Sequence, residues 1–568
     1  MRYTLHMTIT KTVPGKALLL APLFVALVAM LPRLWYAHFG LLDDGQTVRM
    51  AVATSQDLSI SVTMFRDMGR FFPAYVLFFS AIYYVVGQRP VLFFLANYMV
   101  LAGITAGLVL LVRARGGSVF QATAAGLFFV LSAPAVENFY TLSKGDPPQL
   151  LWITSSLVLL VLTARAARVL GKTALALAIA VALLVANLTK ETTVILIPVS
   201  FAWLVVGWWA VRAGKADVNL AERKWYFLAS VGTWITFFLL RAFFGGQTFN
   251  EGTYTRDYGS SGTLLWNSAI DLVVLLSRDF TYALPLAAWL MGAPSTRRSG
   301  ERLLVKDTLI WMAGWIVVFL PWGRILEYYL LPFTFGLAAL SGIAIGGIVE
   351  AIRGETTGRG RLWASACLGL FLLIWPLNLI NHVTDAAVQL AVDGANDDMI
   401  RFAATLPSRS ILLVDVPTPG EYNYEIGVHL SDIHQRRDIV VRPVDQTVTA
   451  LEKRTGEHYV AVPELTESVW PGVRVGVGAG DAVYGQRLPG SDGEGVGTMV
   501  YRTRRKVRLL TFGLQGLVCE WITTREAQGR YCAYRQRLMD ARVFSYGWRI
   551  YRVPGLRVDR VNLGSPSE

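Results

Sequence analysis

The sequence predicts an α-helical polytopic membrane protein carrying a C-terminal soluble α/β domain. Three observations predict it. Of the 568 residues 54% are hydrophobic and only 16% charged, too little polar surface to coat a water-soluble globule of this size. The apolar residues are gathered in blocks of roughly 16 to 25, the length at which a helix crosses hydrocarbon while satisfying its own backbone hydrogen bonds. From about residue 383 these blocks cease and short β-rich runs alternate with helical patterns.

The first block, Ala17 to about Tyr36, follows Lys11 and Lys16 as a signal sequence would. It is too long and lacks a small-residue cleavage site, so it reads as a retained anchor. Further blocks run over 71–87, 91–112, 119–136, 150–164, 173–188, 192–211, 225–244, 263–292, 309–321, 326–350 and 362–381. The formal net charge of +13 sits in the short loops between them rather than on a basic face with interleaved aromatics. That pattern signals orientation and speaks against nucleic-acid binding.

The positive-inside rule places the loops at Arg113 and Arg115, at Arg165, Arg168 and Lys172, at Arg212 to Lys224, at Arg297 to Lys306 and at Arg353 to Arg361 in the cytoplasm. Five loops then face outward: His38 to Arg70, the stretch around Lys144 and Asp146, the Lys190 turn, 246–262, and Pro321 to Arg324. Parity makes the 71–87 block, which carries Pro73, re-entrant or interfacial and leaves about 11 spans. The expected range is about 11 to 13: the 173–188 block is short, and the 263–292 block is long enough to be an interfacial helix followed by a span, with Arg278 and Asp279 at the join. The expected location is the plasma (inner) membrane, with a cytoplasmic N-terminus and an extracytoplasmic C-terminal domain.

The expected domains are 1–382 in the membrane, with a first outward loop over 38–90, and 383–568 outside it. The outer part has strands in ILLVDVP (411–417) and DIVVRPV (438–444), and GSDGEGVG (490–497) reads as a flexible loop. Three cysteines are too few for a disulfide scaffold or a cysteine zinc site. Cys367 lies in an apolar block; Cys519 and Cys532 either pair in an oxidising compartment or stay thiols.

Candidate chemistry lies on the outward loops. FGLLDDGQT sets Asp43 and Asp44 just beyond the first span, where paired carboxylates carry a desolvation cost. One can serve as general base toward an acceptor hydroxyl; alternatively both are solvated, with Asp44 capping a helix. ENFYTLSKGDPPQL adds Glu137, Lys144 and Asp146, the last also a plain helix start before Pro147 and Pro148. Basic residues share this face against the inside rule: Lys190 in NLTKETT, Arg70 in GRFFP and Arg324 in PWGRILEYYLLP. Such groups can bind a lipid-linked phosphate, although Lys190 can also snorkel beside a neutralising Glu191. Tyr328 is a further candidate and equally an aromatic-belt residue.

The order of these elements resembles the GT-C superfamily. It runs from an acidic pair after the first span through GRFFP, an outward loop ending in Asp and an LTKE turn to a YYLLP span start. The closest likeness is to its protein O-mannosyltransferase and lipid A aminoarabinose transferase group, over about residues 17–350. The resemblance implies an inverting glycosyltransferase moving a sugar from a polyprenyl-phosphate donor to a hydroxyl-bearing acceptor (protein, lipid or glycan). The implied catalytic residues are Asp43 or Asp44, and Asp146; Lys190, Arg324 and Arg70 contact the donor phosphate. The sequence departs from the group in having Asp-Asp where Asp-Glu is common, and in separating Arg70 from Pro73 by two phenylalanines. Asp43, Asp44, Glu137 and Asp146 also form an oxygen-rich set that can take magnesium or manganese. Two rival readings are a transporter or flippase of lipid-linked intermediates and a non-catalytic membrane scaffold.

Overall fold

The computed structural model of the protein describes residues 14–41, 44–64, 70–165, 169–214, 219–245, 262–292, 299–322, 325–354, 358–414, 419–443, 457–465, 498–508 and 543–553. Asp43, Arg324, Cys519, Cys532 and the 490–497 segment lie outside them, as does nearly all of the 246–262 loop. Among the described residues nine helices are long and apolar enough to cross a membrane, and a bent pair makes a tenth. That pair, Val119–Val130 and Ala133–Phe139, turns by 57°. The turn is local chemistry: Ser132 Oγ caps the second helix by accepting from the Ala135 amide, and Pro134 occupies its first turn.

The 263–292 block accounts for the difference from the expected span count. It divides at the Arg278–Asp279 join into Gly262–Asp279 and the shorter Ala283–Gly292. Asn378 pins the join, its Oδ1 accepting from Thr281 Oγ1 (3.1 Å) and the Tyr282 amide (3.3 Å). Gly292, at the far end, lies against Trp363. With ten residues, a rise of about 15 Å, this segment is too short to cross the hydrocarbon by itself. Pro73–Val86, with 14 residues, is too short to cross hydrocarbon of about 30 Å.

Leu331–Arg353 is the central helix, buried on nearly every side. Its approach to Val119–Val130 requires glycine, because a Cβ at Gly342 would lie 2.4 Å from the Gln121 carbonyl oxygen. The first helix, Pro14–Trp35, joins the same packing: Tyr140 Oη donates to the Ala29 carbonyl and Thr123 Oγ1 to that of Leu18. Phe24, Leu239 and Phe243 stay exposed on the outer faces, as lipid-facing side chains do.

The helix Gly358–Ala404 runs 47 residues without a break, through position 382 and onto a five-stranded sheet. The strands are β1 (Ile411–Val414), β2 (Val440–Pro443), β3 (His458–Leu465), β4 (Thr498–Arg508) and β5 (Val543–Val553), in the order β2-β1-β3-β5-β4. β1 is parallel to β2 and β3, whereas β5 is antiparallel to β3 and β4. Asn396 of the long helix accepts from Tyr546 Oη and Trp548 Nε1, and Phe402 stacks on Tyr501. The helix thereby supplies one wall of the sheet's core.

The loops of the bundle separate by charge. At one end Arg223 is bidentate to Asp307 and also donates to the Trp203 carbonyl, with Arg115 in electrostatic reach. At the other end the acidic loops meet the sheet unit.

Candidate functional site

The chain leaves its first helix at Tyr36 and re-enters helix at Asp44. Asp44 is buried, at 1% exposure. Its Oδ2 accepts from the Gly40 amide (2.8 Å) and its Oδ1 from the Leu142 amide (3.0 Å), 98 residues away. The carboxylate therefore stitches the first acidic loop to the second, which the reading of a solvated cap does not describe. Burial pushes its pKa up to about 6, the carboxylate of Asp393 adds to the rise, and Arg33 and the two amides oppose it. Arg33 is itself fully buried, 2.8 Å from Asp393, 3.9 Å above the Phe94 ring and bonded to the His38 carbonyl.

Asp146 opens the helix Asp146–Arg165, where Pro147 and Pro148 suit the first turn. It does more than start a helix. Its Oδ2 receives Lys190 Nζ at 2.5 Å, and both side chains are buried. The other oxygen, Oδ1, is buried with no hydrogen-bond partner among the described residues. Lys190 follows the helix Val169–Thr189 and is held through its backbone, since Gln149 Nε2 donates to its carbonyl and to Thr193 Oγ1. Its ammonium also lies 4.9 Å from the centre of the Tyr329 ring.

The remaining candidates surround this axis. Tyr75 Oη bonds the Ser143 carbonyl and lies 3.3 Å from Thr47 Oγ1, so the 142–146 loop is gripped from the Asp44 side. Lys144 Nζ sits 4.2 Å over the Tyr328 ring, and Asn138 donates to the Tyr328 carbonyl. Arg70 stands at the flank, 3.5 Å from Glu191, whose other oxygen accepts from the Phe71 amide. Glu191 is thus turned to Arg70, and Asp146 is the carboxylate bonded to Lys190. Glu137 is within electrostatic reach of Lys144 and Glu327. It faces a second cluster, in which Arg278 binds Asp279 (3.3 Å), Glu327 (2.9 Å) and Asp385.

One end of the bundle therefore brings together Asp44, Lys144, Asp146, Lys190 and Tyr328, with Arg70 in electrostatic reach of Lys190 and Glu137 in that of Lys144. Sequence reading missed Arg33, Asp393, Glu327 and Asp385. Arg33 and Glu327 carried a usable signal, an arginine within the first apolar block and an acid at the start of the 326–350 block; Asp385 and Asp393 belong to the mixed polar stretch after residue 383.

Of the residues named for magnesium or manganese, Asp43 lies outside the described residues. Both oxygens of Asp44 are taken by amides, and Asp146 faces an ammonium, the reverse of what a cation needs. Among the described residues no group of three or more His, Cys, Asp or Glu side chains is placed to hold a metal ion.

No protein-family model matches the chain, and no curated protein matches it in sequence. Solved structures do match its fold. ArnT from Cupriavidus metallidurans in the apo state aligns at a TM-score of 0.50 and 15% identity, over 79% of this chain and 93% of ArnT. The same protein bound to undecaprenyl phosphate aligns at 0.48 and 16% identity, with the same coverage. The Archaeoglobus fulgidus oligosaccharyltransferase in its apo form gives 0.49 at 12% identity, over 85% of this chain and 73% of its own. At this level of identity the alignment with apo ArnT shows a shared fold. The 79% aligned exceeds the stretch 17–350, so the likeness extends beyond the region in which the residue order suggested it.

Proposed function

We propose that this GT-C-fold chain is a membrane glycosyltransferase that moves a sugar from a polyprenyl-phosphate donor to an acceptor hydroxyl on the extracytoplasmic face. The observation that carries this reading is the buried Asp146–Lys190 pair, one short loop from Asp44; the second Asp146 carboxylate oxygen has no partner among the described residues. A buried ammonium held by a single carboxylate and aromatic faces suits an anionic phosphate, which can take over part of its coordination.

In this mechanism the donor phosphate lies by Lys190, with Arg324 and Arg70 as further cations. Both Asp44 oxygens already accept from amides, so Asp43 is assigned as the general base and Asp44 as the residue that fixes its loop. The acceptor oxygen attacks the anomeric carbon as the bond from that carbon to the phosphate oxygen breaks. The acceptor proton passes to Asp43 and the polyprenyl phosphate leaves as an anion. One displacement inverts the anomeric centre. The leaving group is already stable, so the demand falls on positioning and charge stabilisation. Tyr328 and Lys144 line the approach, and Glu137 stands behind Lys144.

The test is sugar transfer from a lipid-linked donor by the purified chain in detergent. Asp43→Asn is expected to lower kcat at least about a hundredfold, within the range for a positioned general base. Full turnover in Asp43→Asn, in Asp44→Asn and in the double variant would remove the assignment. Movement of the intact donor without cleavage would favour a transporter instead.

A further inference from the structure

We infer that the C-terminal sheet unit holds the two ends of the first acidic loop, Gly40–Leu41 and Asp44–Gln46, in their working position, with Glu425, His429 and Asp393 as positioning residues. The inference rests on the proposed glycosyl transfer only in calling that loop catalytic.

Three independent contacts carry it. Leu41, two residues before Asp43, is 1% exposed and belongs to the hydrophobic core of the sheet unit, together with Ile426, Leu430 and Trp548. The first loop thus inserts an apolar side chain into the distant unit's own interior. On the other side of the acidic pair, Glu425 accepts from the Gln46 amide through Oε1 (3.0 Å) and Oε2 (3.3 Å). That amide lies in the first turn of Asp44–Gln56, where backbone N–H groups lack helical partners and the helix dipole favours a negative charge. Glu425 is buried, and its placement satisfies both needs across 379 positions of sequence. His429 then reaches the Gly40 carbonyl at 3.1 Å, closing the grip at the start of the loop.

The two glycines that bracket the acidic pair show how closely the units meet. A Cβ on Gly45 would lie 2.3 Å from Glu425 Oε2 and 2.8 Å from the His429 ring. A Cβ on Gly40 would lie 3.1 Å from Asp44 Oδ2 and 3.2 Å from Asp393 Oδ1. Side chains at both positions would push against the groups that hold the loop. Asp393, on the long helix where it enters the sheet unit, adds its ion pair with Arg33 of the first helix. The loop between those helices is therefore fixed at both ends by residues more than 340 positions downstream.

The experiment compares the full-length chain in nanodiscs with Glu425→Ala, Glu425→Gln and Gly45→Ala. It reads hydrogen exchange over residues 40–50 beside the kcat and KM of sugar transfer. Glu425→Ala is expected to speed exchange at the Gln46 amide about tenfold, the scale of one hydrogen bond to a charged group. It should lower kcat by a similar factor and change donor KM less than twofold, about as expected for a group that orients without touching donor. Glu425→Gln keeps an acceptor oxygen and should restore much of the protection, and Gly45→Ala should repeat the loosening from the opposite side of the contact. Unchanged exchange at 40–50 in Glu425→Ala and Gly45→Ala would overturn the inference, as would faster exchange with undiminished kcat. A wild-type chain that transfers no sugar would instead sink the functional reading, and exchange alone would then judge the grip.

Discussion

Asp44 and Asp146 are both buried carboxylates at the same end of the bundle, yet they are held in opposite ways. Asp44 spends both oxygens on backbone amides and sits in a loop gripped by the sheet unit. Among the described residues Asp146 has one partner, the Lys190 ammonium, and one oxygen with none. A fully satisfied carboxylate is architecture, because moving it would strand two amides. A half-satisfied pair is a place where a ligand can enter. On the proposed function, the comparison gives scaffolding to the first loop's Asp44 and ligand exchange to the Asp146–Lys190 axis.

The sharpest way to break this contrast is to remove one member of the exchanging pair. Lys190→Met leaves Asp146 buried and unpaired and should lower stability by about 3–5 kcal/mol, measured by thermal or chemical denaturation in detergent. Adding Asp146→Asn removes the stranded charge, so the double variant should recover most of that loss without recovering turnover. Recovery of both would make the pair a structural ion pair only.

Asp44→Asn comes next. An amide side chain keeps one acceptor oxygen and turns a donor toward the other backbone N–H, at a cost of about 1–3 kcal/mol in the same denaturation measurement. Its effect on donor KM should be small, in contrast to Lys190→Met.

Protonation sharpens the comparison further. Burial, helped by Asp393, raises Asp44 to about 6 from a reference near 3.8. The folded state then binds the proton more tightly than the unfolded one, so this contribution is full below about pH 4 and is lost as pH rises through about 6. His429 works in the opposite sense: burial lowers it to about 4, so its contribution is present above about 6.5 and is lost as pH falls through 4. Between pH 4 and 6.5 the melting temperature of wild type relative to Asp44→Asn should fall as pH rises. Relative to His429→Gln it should rise.

The smallest effect belongs to Arg70→Ala. Its pair with Glu191 is 3.5 Å long and about a quarter exposed, which limits the loss of stability to below about 1 kcal/mol. Any larger effect on transfer than on melting would place Arg70 beside the donor.

Much of this architecture was legible because membrane solvent leaves a blunt signature. Each crossing helix needs an uninterrupted apolar block, and the blocks could be counted. The 263–292 block shows the limit, since only the contacts at Asn378 and Trp363 reveal how its two helices share one stretch. Lys190 and Asp146 stood out as charges between apolar blocks, where their desolvation demands a reason. Glu425, His429 and Asp393 could not be found that way. They meet residues more than 340 positions away, and an acid or histidine in a polar stretch looks the same whether it faces water or closes a buried loop. Asp44 was legible in position but not in role, because its two amide partners are a matter of backbone geometry.

The most direct test is equilibrium binding of undecaprenyl phosphate to the purified chain in nanodiscs, comparing wild type with the Lys190→Met, Asp146→Asn double variant. Losing one charge-assisted contact of about 1.5–3 kcal/mol predicts about ten- to a hundredfold weaker binding while melting stays close to wild type. Equal affinity in a folded double variant would contradict the account, because the lipid phosphate would then sit somewhere other than on Lys190.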